Sequence, residues 1–129
     1  MKFLLTLYGD ETAFVNASPE YIASELTAWQ AFDQAAREAG VVIECDGLEG
    51  SHTATTVHLH DGRRQHVTDG PFIETKEQLG GYVLLEVRDL DHAMEWVERL
   101  PWTGAVEIRP VMDYEAYGQR AASAEGAAS

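Results

Sequence analysis

Between Phe3 and Tyr8 only Thr6 interrupts a run of apolar side chains, and Gly9-Asp10 ends it. That is the pattern of a strand central in a sheet or covered on both faces, so Lys2 to Tyr8 is predicted as the first strand. Ser18-Pro19-Glu20 then reads as a helix start, with the Ser18 hydroxyl as N-cap, Pro19 where no N–H is needed and Glu20 favoured by the helix dipole. Behind it Ile22, Leu26, Trp29, Phe32, Ala36 and Ala39 recur at steps of three and four, one stripe of a long helix that Gly40 stops. Val41 to Cys45 is β-branched and predicts a second strand. Thr53 to His60 and Arg63 to Thr68 are strand-like runs joined by Asp61-Gly62, a strong hairpin signal. Gly80 to Val87 is a further strand. Asp89 caps a second helix with Leu90, Ala93, Met94, Val97 and Leu100 facing inward, and Pro101 ends it. Ala105 to Val111 alternates in and out, with Pro110 implying an edge or terminal position.

The order strand, helix, strand, hairpin, strand, helix, strand predicts an α+β fold, a ferredoxin-like βαβ-βαβ sandwich with an inserted β-hairpin. Both helices belong on one face of the sheet, and a chain of 129 residues has nothing left to cover the other. A second copy could cover it, which predicts a homodimer. Residues 1–117 form the predicted domain, and the Ala-, Ser-, Gly- and Glu-rich stretch 118–129 is predicted as a disordered tail. The formal net charge of −13 repels phosphate backbones and argues against nucleic-acid partners. One cysteine, Cys45, leaves no internal disulfide and no Cys-based zinc cage, and suits a reducing, cytoplasmic compartment. The first apolar run is too brief for a signal peptide or membrane span, so no membrane association is expected.

Candidate chemistry concentrates in the segment Asp69-Gly70-Pro71-Phe72-Ile73-Glu74-Thr75-Lys76-Glu77. Pro71 fixes its own backbone and restrains Gly70 to extended conformations, which would hold the Asp69 carboxylate at a defined angle. Phe72 supplies an apolar anchor, and Glu74, Lys76 and Glu77 set two carboxylates and an ammonium in one short loop that could bind a polar ligand or exchange a proton. The competing reading makes Asp69 a turn acceptor, Phe72 a core side chain and Lys76 half of a loop-fixing ion pair. Gly80-Gly81, before Tyr82, would admit a substrate or a partner to the backbone, and a β-bulge explains the pair equally well. His58 and His60 share a face of their strand and would lie opposite Gln65 and Arg63, with His66 facing away; a solvated hairpin is expected there and no metal. Cys45 has no basic neighbour in sequence to activate it and reads as a small packed thiol. Trp29 falls on the helix stripe whereas Trp96 sits off it, leaving Trp96 for a pocket or a dimer seam. No glycine-rich phosphate cradle is present, and no cofactor is expected.

The string Val67-Thr68-Asp69-Gly70-Pro71-Phe72 with Glu74-Thr75-Lys76-Glu77 and Gly80-Gly81-Tyr82 strongly resembles the DGPF branch of the YCII-related proteins. Ala54-Thr55-Thr56-Val57, Asp89-Leu90-Asp91 with Glu95-Trp96, and Val106 to Val111 are similar to that branch as well, and the likeness runs from Met1 to about Tyr117. The resemblance implies a ferredoxin-like fold that dimerises through its sheets into an α/β barrel with a cleft, and genes that often neighbour extracytoplasmic-function sigma factors. It implies no settled activity. The broader group pairs a first-helix His with the motif Asp; here Asp69 is present but residues 19–39 contain no His. His58 and Ile73 also stand where the branch usually has Arg and Ala. The expected protein is thus a homodimer of unassigned activity holding a small polar or aromatic molecule against Asp69, Gly70, Pro71, Phe72, Glu74, Lys76, Glu77, Gly81 and Tyr82; were it an enzyme, Asp69 would move a proton. The rival expectation is a non-catalytic sensor or accessory protein of a sigma-factor circuit.

Overall fold

A computed structural model describes residues 1–128. In chain order these form β1 (Lys2–Gly9), the single-turn α1 (Thr12–Val15), α2 (Pro19–Glu38), β2 (Val42–Gly47), a 3₁₀ turn (Ser51–Thr53), β3 (Thr55–His60), β4 (Arg63–Asp69), β5 (Gln78–Glu86), α3 (Leu90–Val97), β6 (Ala105–Pro110) and α4 (Tyr114–Ala128). The capping chemistry acts as expected. Ser18 Oγ accepts the Tyr21 N–H at 3.1 Å, and Asp89 Oδ1 accepts the His92 N–H at 2.8 Å.

β1 lies between β5 and β6, and the main sheet runs β2-β5-β1-β6 with every neighbouring pair antiparallel. This α+β arrangement is compatible with the ferredoxin-like plan. The sheet is open, ending at edge strands β2 and β6, and Pro110 sits on such an edge, where a missing N–H costs no ladder bond. Alternation sends Phe3, Leu5 and Leu7 of β1 and Val83 and Leu85 of β5 into one core with Phe32 and Ala36 of α2 and Ala93 and Trp96 of α3. Both helices therefore cover the same face. On the opposite face Leu4, Thr6, Tyr8, Tyr82 and Leu84 are half-buried, rimmed by exposed Lys2, Glu44, Asp46, Glu86, Glu107 and Arg109. Thr6 Oγ1, at the centre of that face, is buried without a hydrogen-bond partner among the described residues.

Several expectations are corrected by the packing. Trp96 belongs to the core, 6% exposed, with its ring edge-on to Phe32 at a centroid distance of 6.1 Å. Met94 and Leu90, expected inside, are exposed, because α3 turns the 93/96/97/100 stripe to the sheet. In α2 only the second half is covered: Phe32 and Ala36 are buried, while Leu26 is 59% exposed. Beyond the sheet, α4 runs to Ala128, and its residues from Tyr114 to Gly126 are all exposed. Its alanine-rich composition favours helix locally without burying a face.

The inserted hairpin forms a separate two-stranded sheet. Its turn has Asp61 at φ 50° and Gly62 at φ 74°, the left-handed pair that a two-residue hairpin requires. A bulge between His58 and Leu59 then shifts the register, so that His58 pairs with His66 while His60 keeps Arg63. The expected pairing with Gln65 is replaced, and His66 stands beside His58, ring centroids 5.7 Å apart, rather than facing away.

Candidate functional site

Asp69 closes β4, paired with Thr55, and the chain then turns sharply. The Gly70 N–H donates to the Ala54 carbonyl at 2.7 Å, and the Thr56 hydroxyl donates to the Gly70 carbonyl at 2.8 Å. Gly70 adopts φ +102° rather than the extended form expected before proline, a conformation that a side chain strains. That reversal carries Pro71 and Phe72 to the wall of a cleft of about 650 Å³. Tyr8 at the end of β1, the loop from Leu48 to Ala54, and the segment from Pro71 to Leu79 form its other walls. Phe72 is 73% exposed, its ring 5.7 Å from that of His58, so an aromatic face is left open to whatever enters.

The side chains named by the sequence pattern fall in three places. Pro71, Phe72 and Glu77 line the cleft, and Gly70 sets the turn behind them. Asp69 and Glu74 are exposed and outside the lining, and the Asp69 carboxylate has no hydrogen-bond or ion-pair partner among the described residues. Lys76 lies near Asp10, whose carboxyl is held below its ordinary range first by the Thr12 hydroxyl and N–H and then by the Lys76 charge. Gly81 is buried in β5 where a Cβ would stand 2.9 Å from the Asp46 carbonyl, so strand β2 occupies that approach. Gly80 is the extra residue of a bulge against Tyr8, and a Cβ there would meet the Trp102 ring at 2.8 Å. The close approach read from the two glycines is thus made by β2 and Trp102. Tyr82 lies on the open face of the main sheet, its hydroxyl donating to Glu44 Oε1 at 2.7 Å.

Glu11 gave no sequence signal, because its partner is forty residues away. Its carboxylate accepts the Ser51 N–H at 2.9 Å and the Ser51 hydroxyl, tying the loop that walls the cleft to the end of β1. Those bonds favour the charged form and lower the Glu11 pKa. Tyr8, Leu48 and Glu49 also line the cleft unannounced, for the lining is assembled from segments distant in sequence. Cys45 is half-buried and burial pushes its thiol pKa up, the opposite of nucleophile activation. His60 Nε2 lies 3.3 Å from Asp61 on the exposed hairpin. Among the described residues no group of three or more His, Cys, Asp or Glu side chains is placed to hold a metal ion, and no helix is long and apolar enough to cross a membrane.

The family model of the YCII-related domain matches residues 1–115. An uncharacterized protein of Rhizobium meliloti (strain 1021) is 33% identical over 122 residues, which cover 89% of this chain and 95% of that relative.

Proposed function

This chain belongs to the YCII-related domain family, and from that premise we propose that it is a small-molecule-binding protein of the DGPF branch that works as a homodimer. The cleft beside the Asp69–Phe72 turn carries the reading. It is open, largely apolar, and presents the exposed Phe72 ring beside the carboxylates of Glu49 and Glu77, which suits a small polar or aromatic molecule. A dimer without ligand would be expected to fill this space with side chains.

The second copy covers the open sheet face in this proposal, closing two sheets into an α/β barrel. Half-buried Leu4, Tyr8, Tyr82 and Leu84, with the unpartnered Thr6 hydroxyl among them, support that assignment. Asp69, two residues before the cleft-lining Pro71, is the proton-moving group if the bound molecule reacts. A non-catalytic sensor or accessory protein of an extracytoplasmic-function sigma-factor circuit is the second reading, favoured by the solvent-facing, unpartnered Asp69.

Ligand-observed NMR of the full chain against a library of polar and aromatic fragments tests the cleft. Binders should lose their signal change in Phe72→Ala and keep it in Asp69→Asn. A screen with no binder overturns the small-molecule reading, and turnover retained by Asp69→Asn removes that residue from any reaction found. Light scattering at micromolar concentration should give twice the chain mass, reduced to the chain mass by Leu84→Asp; a monomeric unmodified protein overturns the dimer.

A further inference from the structure

Charges on the open sheet face are unevenly matched. Of its four carboxylates, Glu86 lies 3.9 Å from the Met1 amino group and Glu107 lies 4.0 Å from Arg109 Nε. Glu44 and Asp46, neighbours on one face of edge strand β2, have no cation partner among the described residues; Glu44 only accepts the Tyr82 hydroxyl. Two such faces brought together in a protein of net charge −13 would oppose carboxylate to carboxylate, and Lys2, the rim cation without an ion pair among the described residues, cannot match both Glu44 and Asp46.

The hairpin carries further cations. Arg63 and Arg64 stand at its tip, both exposed and neither ion-paired among the described residues. The arm behind them leaves Val57, Leu59 and Val67 on one face, 44%, 68% and 50% exposed. A two-stranded hairpin is marginal on its own and gains stability when its apolar face is packed. Two unmatched cations on an uncovered arm thus complement two unmatched carboxylates on an uncovered edge.

We propose that the β3–β4 hairpin is a dimerisation arm, its Arg63 and Arg64 docking on Glu44 and Asp46 of a second copy of this chain. The occupant of the arm's surface is that second copy because the complementary charges belong to the same sequence. A two-fold dimer makes the contact twice, each arm meeting the other copy's β2 edge. The proposal rests on the sheet-face dimer put forward above and adds to it the element that offsets the acidic repulsion.

Charge exchange tests it on the full-length chain by sedimentation equilibrium. Arg63→Glu with Arg64→Glu should weaken the dimer about tenfold or more, and Glu44→Lys with Asp46→Lys should do the same. Combining all four substitutions should restore most of the lost affinity, because each pair is re-formed with its signs reversed. An unchanged dimer in the Arg63/Arg64 variant, or a fourfold variant no tighter than either double, overturns the arm. If the unmodified protein is dimeric and Leu84→Asp dissociates it while charge reversal does not, the sheet-face dimer stands and the arm alone falls. A monomeric unmodified protein removes both.

Discussion

The Tyr82 hydroxyl reaches across from β5 to β2 and donates to Glu44 Oε1 at 2.7 Å, joining a central strand to an edge strand on the uncovered side of the sheet. The bond exists only while the phenol keeps its proton. Donation to a carboxylate, followed by partial burial and the charges of Glu44 and Asp46, pushes the Tyr82 pKa up to about 12 from 10.0. Because the folded value lies above the ordinary one, the stabilisation is complete below pH 10.0 and is lost as pH climbs through about 12. Glu44→Gln should return Tyr82 toward the ordinary phenol range, with the transition read at the phenolate absorbance band. An unaltered titration in that variant would show that Glu44 does not set the shift.

Phe32 is the ring on which both neighbouring indoles rest, 5.8 Å from Trp29 and 6.1 Å from Trp96, each edge-on. It is buried between α2, α3 and the sheet. Phe32→Ala should cost about 3–5 kcal/mol, a large part of the stability of a domain this size. Urea unfolding followed by tryptophan emission measures it directly. A loss below about 1 kcal/mol would show that the two helices collapse onto the vacancy without penalty.

Local chemistry made part of this architecture readable in advance. Ser18 and Asp89 cap the helices, Asp61-Gly62 turns the hairpin, and the apolar run of β1, broken only by Thr6, marks a central strand, because each effect is settled within a few residues. Tertiary geometry decided the rest. The stripe of α2 begins a full turn or more before the buried part of the helix at Phe32 and Ala36, so Leu26 meets solvent although its spacing is correct. Trp96 looked peripheral because Met94 and Leu90 compete with it for the inward face. A single inserted residue moved Gln65 out of pairing and brought His66 to His58, and no residue type announces such a bulge. At the cleft, the turn from Gly70 to Phe72 was legible from its own string, while Tyr8, Leu48 and the Glu11 tie to Ser51 arise from contacts between distant segments.

That tie makes the cleft wall sensitive to acid. Glu11 is held in its charged form by the Ser51 hydroxyl and then by the Ser51 N–H, so its folded pKa lies below the ordinary 4.5. A depressed carboxylate stabilises the fold above its ordinary pKa and loses that contribution as pH falls through the folded value. Glu11→Gln should therefore lower the urea midpoint at pH 7, and its difference from the unmodified protein should shrink as both are taken toward pH 3. A difference that stays constant across that range would separate the Glu11 bonds from its charge.

Gly70 offers the most direct test of how the turn is built. Its φ of +102° lies where a side chain is strained, yet no atom within 4 Å would collide with an added Cβ. The cost of Gly70→Ala is therefore conformational rather than steric, about 1–3 kcal/mol, unless the backbone relaxes by breaking the bonds to Ala54 and Thr56. Relaxation would swing Phe72 away from the cleft, because Gly70 is anchored to β3 by its N–H and its carbonyl within two residues of that ring. The two responses are distinguishable. Retained backbone geometry predicts a lower urea midpoint with unchanged fragment binding, whereas relaxation predicts a smaller loss of stability together with weakened binding at Phe72. Gly70→Ala that changes neither would show that the positive φ is not required by the turn, and D-alanine at the same position, introduced by chemical ligation, should in contrast preserve both stability and binding.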